Sequence, residues 1–301
     1  MSHMETWGFA KGHGTHNDFV LLKDRTGSVP LTAEQVRFLC DRHGGIGADG
    51  VIRAIKAGHV PGWDGEPDLW FMDYRNADGS LAEMCGNGLR VFGRFLMEED
   101  LVDSNELVIA TRAGLRGVRE MPDGRMCAQM GAVRVGPEPT WVAHDGTRYE
   151  ATAVDVGNPH AVVLLGDDVD LSLLDLSHPP QFDPDVFPAG ANVEFVHVND
   201  RHDLSMRVHE RGSGETLSCG TGVVATAAAQ AHAIGEPSGD YAVTVPGGRL
   251  DVAYDGERAE LIGPAVIVAR GEVLVPDRAS RRAGDPAPAE AAAAETEPGR
   301  P

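Results

Sequence analysis

The sequence predicts an α+β protein of two pseudo-symmetric halves, in which each half is a mostly antiparallel sheet wrapped around a central helix. Three observations predict this fold class. Short strand candidates outnumber helix candidates along most of the chain. A cysteine followed by glycines occurs twice, each time directly before a stretch that favours a helix. Other landmarks recur at nearly the same spacing as the two cysteines, which indicates a duplicated unit.

The duplication is clearest around the two cysteine–glycine segments. Cys85 and Cys219 are 134 positions apart, and Gly114 and Gly248 keep the same spacing. Two Asp-Gly pairs that favour hairpin turns are 132 positions apart, as are the glycines that follow them. Upstream, residues 17–22 resemble residues 158–165. This period exceeds the roughly 20 to 50 residues of solenoid repeats, so we interpret it as a duplicated domain.

The elements follow from local patterns along the chain. Strands are predicted where apolar, often β-branched or aromatic, residues run between turn residues, at 19–22, 69–74, 106–111, 115–120, 125–130, 161–165, 193–198, 206–210, 242–245, 250–253 and 265–272. A helix is predicted at 33–41 after a Thr32 cap, with one helical turn at 171–174. The central helices are predicted after the cysteines, at 89–99 and 223–233.

The repeat also suggests domain boundaries. We place the N-terminal half, which carries Cys85, at residues 1–134, and the C-terminal half, which carries Cys219, at residues 135–263. Residues 264–276 are expected to return to the N-terminal half. Residues 277–301 are rich in alanine, proline and glutamate and have almost nothing to bury, so they predict a disordered tail.

Composition agrees with a soluble cytoplasmic enzyme. No apolar run approaches the roughly 18–20 residues of a membrane helix, and no signal-peptide pattern opens the chain. The net charge of −20 argues against nucleic acid or an anionic membrane as a partner. Cys40 and Cys127 have no adjacent glycines, unlike Cys85 and Cys219, and are expected to be inert core residues. No histidine, cysteine or carboxylate spacing predicts a metal site.

A cysteine at a glycine-rich helix start combines two chemical functions. The helix N-terminus favours the thiolate, so we expect it to lower the thiol pKa from its usual value of roughly 8.5. Unpaired backbone N–H groups at the same place can bind a carboxylate, and glycines leave that backbone unshielded. Two facing halves would bring both thiols to one cleft. The sequence therefore predicts a racemase or epimerase that uses two bases.

Several further motifs lie between and around these segments in a specific order. They read GTHNDF at 14–19, DRHGGIGADG at 41–50, NADGS at 76–80, MCGNG at 84–88, GNPH at 157–160, ANV at 191–193, ERGSGET at 210–216 and CGTG at 219–222. Through these motifs the chain resembles the diaminopimelate epimerase family over nearly all of residues 8–275. The resemblance implies a fold of two pseudo-symmetric halves and the interconversion of LL- and meso-2,6-diaminopimelate without a cofactor.

The resemblance also implies roles for individual residues. Cys85 and Cys219 would be the acid–base pair, and His160 and Glu210 would flank the thiols and set their protonation. The reacting carboxylate would lie on the N–H groups at the helix starts, namely Gly86, Asn87, Gly220 and Thr221. The rest of the substrate would be held by Asn17, Asn76, Asn158, Asn192, Glu210 and Arg211. Gly50 stands where many members have glutamine, so one distal contact is lost or made differently. A homodimer is the family-level expectation.

Other classes of protein stay open. A proline or hydroxyproline racemase, epimerase or dehydratase of the same superfamily would share both cysteines. Such enzymes usually have histidine where this chain has Asn87, and they lack the distal pocket around Arg211. A thiol hydrolase with a Cys–His pair would explain one cysteine and His160 but not the second copy. A non-catalytic carboxylate-binding protein would require only a helix start.

Overall fold

The computed structural model describes residues 4–276, which form one continuous sheet around three α-helices. The predicted tail at 277–301 lies outside the described residues. The helices are α1 (Ala33–Cys40), α2 (Gly86–Glu98) and α3 (Gly220–Ala233). The strands are β1 (Met4–Gly14), β2 (Asn17–Lys23), β3 (Gly50–Lys56), β4 (Trp70–Asn76), β5 (Glu106–Thr111), β6 (Gly114–Glu120), β7 (Met126–Ala132), β8 (Arg134–His144), β9 (Thr147–Asp155), β10 (Pro159–Leu164), β11 (Gln181–Phe182), β12 (Asn192–Asp200), β13 (Asp203–Glu210), β14 (Gly214–Thr216), β15 (Gly239–Val245), β16 (Gly248–Tyr254), β17 (Arg258–Gly263) and β18 (Val266–Pro276).

Strands pair in the same order in the two halves. In the first half, β1 and β2 are antiparallel, β2 and β3 parallel, β3 and β4 antiparallel, and β4 and β5 parallel, after which β5, β6 and β7 are antiparallel neighbours. Strands β9, β10, β12, β13, β15, β16 and β17 repeat this order with the same orientations. The predicted fold class, two similar and mostly antiparallel halves, is therefore confirmed.

Two further pairings complete the sheet. Strand β7 pairs antiparallel with β17, which joins the two halves edge to edge. Strand β18 pairs with β1 along most of its length. The chain therefore ends, within the described residues, on the first half rather than the second.

Each half buries one central helix. In the first half, Leu89, Phe92 and Leu96 of α2 are fully buried against the sheet. Each such side chain stabilises the fold by about 1.5–3 kcal/mol relative to an exposed one. Helix α3 is rich in alanine and is buried on nearly every side. A helix that is apolar all round belongs in the middle of a core, and small side chains let the second sheet close tightly around it.

The predicted and observed elements differ in two ways. The central helices begin three residues earlier than expected, at Gly86 and Gly220, because the preceding cysteines are themselves the N-cap residues. Strands β1, β3, β8, β9 and β17, and the short β11 and β14, were not predicted. Several of these strands are half-exposed and carry glycine, proline or charged residues, so their apolar pattern is weak. Helix α1 begins after Thr32, which forms a capping box with Gln35, as its sequence indicates.

Candidate active site at two helix starts

Both glycine-flanked cysteines occupy the N-cap position of a central helix. Cys85 precedes α2 and Cys219 precedes α3, each in an extended backbone conformation. The N–H of Gly88 donates to Cys85 Sγ at 3.4 Å, so this sulfur already lies on the first turn of its helix. The two helix starts also meet. A Cβ placed on Gly220 would lie 3.3 Å from the amide nitrogen of Asn87, so glycine permits this close approach.

Cys85 contacts the first of the predicted asparagines. Its thiol donates to Asn17 Oδ1 at 3.5 Å, and Asn17 Nδ2 donates to Asp49 Oδ2 at 2.8 Å. Arg42 donates to Asp49 and also to Asp18, each at 2.8 Å. Asp49, which the sequence analysis did not select as a site residue, fixes the orientation of the Asn17 amide beside Cys85. The signal for this role is spatial and could not be read from local sequence.

Cys219 ends a chain of polar contacts that begins in the core. His160 Nδ1 lies 2.7 Å from Glu194 Oε1, and His160 Nε2 lies 3.1 Å from Asn158 Oδ1. Asn158 Nδ2 donates to Thr221 Oγ1 at 3.3 Å, and that hydroxyl lies 3.5 Å from Cys219 Sγ. Two side chains, those of Asn158 and Thr221, therefore lie between His160 and the Cys219 thiol.

Glu194 belongs to this series of polar contacts but was not predicted from the sequence. Its side chain and that of His160 are both fully buried, and Glu194 Oε2 has no hydrogen-bond partner among the described residues. A Cβ at Gly222 would lie 2.6 Å from Glu194 Oε1, so this glycine makes room for the carboxylate beneath α3. A charged residue inside the apolar run of β12 was the available signal, because such residues are seldom buried without a partner.

Glu210 and Arg211 lie where β13 ends beside Cys219. Glu210 accepts a hydrogen bond from the Thr216 hydroxyl, and its negative charge raises the pKa of the Cys219 thiol. The Arg211 amide donates to Asn192 Oδ1 at 2.9 Å, which holds the backbone at this point. The Arg211 guanidinium is exposed, donates to the carbonyl of Ala189, and forms no ion pair within residues 4–276. It is therefore free to receive a carboxylate from outside.

Two other predicted contacts are less direct. Asn76 Nδ2 donates to Ser80 Oγ at 3.0 Å, which closes the turn after β4. The side chain of Asn87 is 1% exposed and donates to both the carbonyl and the hydroxyl of Ser218 at 3.2 Å. Asn87 can therefore offer a ligand its backbone N–H, but its amide group connects the two cysteine segments within the protein.

The structure has no space at Gly50 for the glutamine that the family resemblance leads us to expect at this position. A Cβ there would lie 2.6 Å from the carbonyl oxygen of Arg75 and 2.6 Å from Tyr74 Cε2. Gly50 begins β3 and pairs with Asn76, so the neighbouring backbone is fixed by the sheet.

The N–H groups at the helix starts lower the thiol pKa values as expected, but burial outweighs them and the net shift is upward. Burial raises the pKa of Cys85 to about 11, although the N–H groups of Gly88 and Asn87 oppose the shift. Burial also raises the pKa of Cys219 well above its usual value, and the negative charges of Glu210 and Glu194 add to the effect. The pKa of Glu210 is raised as well, chiefly by burial. Desolvation outweighs the helix dipole because both sulfurs are largely enclosed.

The described residues contain no cluster of three or more histidine, cysteine or carboxylate side chains suited to a metal ion. No helix between residues 4 and 276 has the length and apolar character needed to span a membrane.

Known proteins match the chain along most of its length. The family model described as diaminopimelate epimerase matches residues 9–136 and 152–275. Proteins named diaminopimelate epimerase from Thermobifida fusca and Rhodococcus opacus are 50% and 46% identical, over alignments that cover 88% of this chain and 97% and 96% of those proteins. A protein of the same name from Corynebacterium glutamicum is 45% identical, with 89% of this chain and 98% of that protein covered.

Solved structures share the fold at low sequence identity. A hydroxyproline epimerase from Agrobacterium vitis, with bound trans-4-hydroxy-L-proline, has a TM-score of 0.66 at 16% identity, with 92% of this chain and 95% of that chain covered. A Bacillus anthracis phenazine biosynthesis protein of the PhzF family has a TM-score of 0.64 at 17% identity, with 90% and 100% covered.

Proposed function

Since this chain belongs to the diaminopimelate epimerase family, we propose that it interconverts LL- and meso-2,6-diaminopimelate with two cysteine bases and no cofactor. One observation carries the proposal. Cys85 and Cys219 cap the equivalent helices of two similar halves, and the first turns of those helices are in contact. A substrate at that contact would have one thiol on each side.

The proposed chemistry moves one proton on each face of the substrate. The thiolate of one cysteine removes the α-proton, and the thiol of the other donates a proton to the opposite face of the same carbon. The backbone N–H groups of Gly86, Asn87, Gly220 and Thr221 bind the carboxylate, and they stabilise the negative charge that grows on it. Burial raises both thiol pKa values, so each thiolate that forms is a stronger base than a free cysteine.

Glu210 supports this cycle as the immediate proton acceptor of Cys219. Its carboxyl acts electrostatically on that thiol, and its raised pKa brings the two groups closer in basicity. His160, held by Glu194, orients Asn158, whose amide reaches Thr221 beside the same sulfur. A reaction that starts from the other isomer returns the proton along the same path.

The distal end of the substrate is assigned to the asparagines and to Arg211. A guanidinium binds a carboxylate through two parallel hydrogen bonds, and Arg211 has no internal ion pair within the described residues. Asn192 holds its backbone, and we assign the amino group to Asn17, Asn76 and Asn158. Since the amide of Asn87 is used internally, discrimination against proline falls mainly to Arg211.

The direct test is incubation of LL-diaminopimelate in D₂O without an added cofactor. We expect deuterium at one α-carbon together with formation of the meso isomer. Cys85→Ala and Cys219→Ala should each reduce the interconversion by at least about 10²-fold, since each removes one general acid–base group. Full activity of Cys219→Ala in both directions would refute the two-base reaction. Exchange of the α-proton of proline instead would favour the related racemases.

We place this activity in lysine and peptidoglycan precursor biosynthesis in the cytoplasm, with a homodimer as the assembly to test. Size-exclusion chromatography with light scattering would determine the assembly directly.

A further inference from the structure

Helix α2 contains a buried cation close behind Cys85. Arg90 lies five residues after Cys85, and its side chain has no exposed surface. Its Nη1 donates to the carbonyl of Gly86 at 3.3 Å, and its Nη2 donates to Asn87 Oδ1 at 2.8 Å. The guanidinium therefore lies directly behind the two residues that follow the cysteine.

The charge of Arg90 is not compensated. All of its hydrogen-bond acceptors are neutral, its Nε has no partner, and it takes part in no ion pair within residues 4–276. Burial lowers the pKa of Arg90 to about 10, so it remains a cation at neutral pH. A buried charge without an opposite charge beside it destabilises the folded protein. The burial of Arg90 therefore requires an explanation other than stability.

The fold makes room for this side chain. A Cβ on Gly14 would lie 3.2 Å from Arg90 Nη2, and a Cβ on Gly263 would lie 3.4 Å from Arg90 Nε. Cys127 of β7 is the other titratable group that faces the guanidinium, and its thiol already donates to Glu260 at 3.4 Å. Besides that thiol, Cys85 is the titratable group that acts electrostatically on this charge.

The second half has no equivalent cation. Val224 occupies the position five residues after Cys219, and it is completely buried. The charged groups that face Cys219 are the carboxyls of Glu210 and Glu194. Cys85 faces the carboxyl of Glu210, which raises its pKa, and the guanidinium of Arg90, which lowers it by less; the Tyr74 hydroxyl also faces this thiol. The two thiols are equivalent in backbone position, but Cys85 has one carboxyl and a cation beside it, whereas Cys219 has two carboxyls.

We propose that Arg90 is a positioning residue that orders the two ionisations, so that in the free enzyme Cys85 becomes the thiolate while Cys219 keeps its proton. This inference rests on the proposed two-base function and deepens it. Because the guanidinium is buried, salt screens its field at Cys85 only weakly. The ordering should therefore persist at high ionic strength.

The test measures thiol ionisation without substrate. Wild-type protein is alkylated with iodoacetamide across a pH series, and initial rates at Cys85 and Cys219 are resolved by mass spectrometry of their peptides. We expect the alkylation rate at Cys85 to reach its half-maximal value at a lower pH than the rate at Cys219. In Arg90→Gln, which removes the charge, the rate at Cys85 at a fixed pH below the midpoint should fall about tenfold, since one pKa unit changes the thiolate fraction by that factor. The Cys219 profile should not move.

Two further variants separate charge from structure. Arg90→Lys keeps a cation and should leave the Cys85 midpoint close to wild type. Arg94→Gln is the matched control, because Arg94 lies one turn further along α2 and is paired with Glu120 at 2.7 Å. It should change neither thiol.

Specific outcomes would overturn the proposal. The proposal is overturned if, in the wild-type protein, the pH midpoint of alkylation at Cys219 is at or below that at Cys85. This outcome needs no variant, so the proposal can be tested even if Arg90→Gln does not fold. A folded Arg90→Gln protein with an unchanged Cys85 profile would also overturn the proposal, whatever its activity. Since no diaminopimelate is present, these results are independent of the isotope experiment that tests the function.

Discussion

At the scale of the residue, the ionisation of each thiol depends on two opposing effects. The first turn of a helix favours the thiolate by fractions of a kcal/mol to about 2 kcal/mol, whereas burial disfavours any charge by up to several pKa units. At Cys219, burial and the carboxyls of Glu210 and Glu194 act in the same direction, so the thiol stays protonated. A proton acceptor in direct contact is then required for it to act as a base.

This requirement predicts the behaviour of Glu210→Gln. The glutamine keeps the shape of the side chain but cannot take the Cys219 proton, so kcat should fall by about 10²–10⁴-fold. Burial raises the pKa of Glu210, which means that the carboxylate is lost at a higher pH than for an exposed glutamate. Wild-type activity should therefore decline as pH falls through that raised value, and the variant should lack this decline.

A kcat/KM profile between pH 4 and 9 measures both effects. Glu215→Gln is the control, because Glu215 is exposed and paired with Arg207. Retention of more than a third of wild-type kcat by Glu210→Gln would contradict the assignment.

At the scale of the element, local sequence predicted where most strands and all three helices lie, but not how they meet. The helix after Thr32 and the hairpin turns at 123–124 and 255–256 follow from residues next to one another in the chain. The close packing at Gly50 cannot be predicted from neighbouring residues in the chain. The atoms that exclude a side chain there belong to Tyr74 and Arg75 on the neighbouring strand.

Gly50→Gln tests this packing constraint between β3 and β4. The new side chain would have to displace the carbonyl of Arg75 and the ring of Tyr74, so we expect a loss of about 1–3 kcal/mol in the free energy of unfolding. Gly8→Gln is the matched control, since Gly8 lies on exposed β1 with no atom within 4 Å of a built Cβ. Urea unfolding of both variants gives the comparison. Equal stability would mean that the strand end is more adaptable than its geometry indicates.

At the scale of the whole molecule, the 134-residue spacing predicted two similar halves, and both sheets repeat one order of pairing. The spacing indicated that the thiols would meet, but it could not predict the contacts that join the halves. Asn87 illustrates the difference. Its place in the motif indicated a substrate contact through its N–H, whereas its side chain spans the junction to reach Ser218. Such contacts depend on residues more than a hundred positions apart.

The tip of the β1–β2 hairpin also packs at the junction between the halves, where Asn87 contacts Ser218. Thr15 and His16 adopt left-handed backbone conformations, with φ of 50° and 64°, and such strain costs about 1–3 kcal/mol for a non-glycine residue. Thr15 is 1% exposed, and its hydroxyl lies 2.7 Å from Ser218 Oγ in the second half. A Cβ at Gly247 would lie 2.1 Å from the Thr15 carbonyl oxygen, so the two halves fit closely there.

Ser218→Ala should therefore weaken the whole molecule and the site together. Removing this hydroxyl deprives two buried groups, Thr15 Oγ1 and Asn87 Nδ2, of a partner, which should lower the free energy of unfolding by about 1–3 kcal/mol. Because Ser218 directly precedes Cys219, the helix start would move relative to Cys85, and kcat should fall more than KM rises. Urea unfolding and steady-state kinetics measure the two effects, with the exposed Ser177→Ala as control. Lower stability with unchanged kcat would show that the junction supports the fold without setting the distance between the thiols.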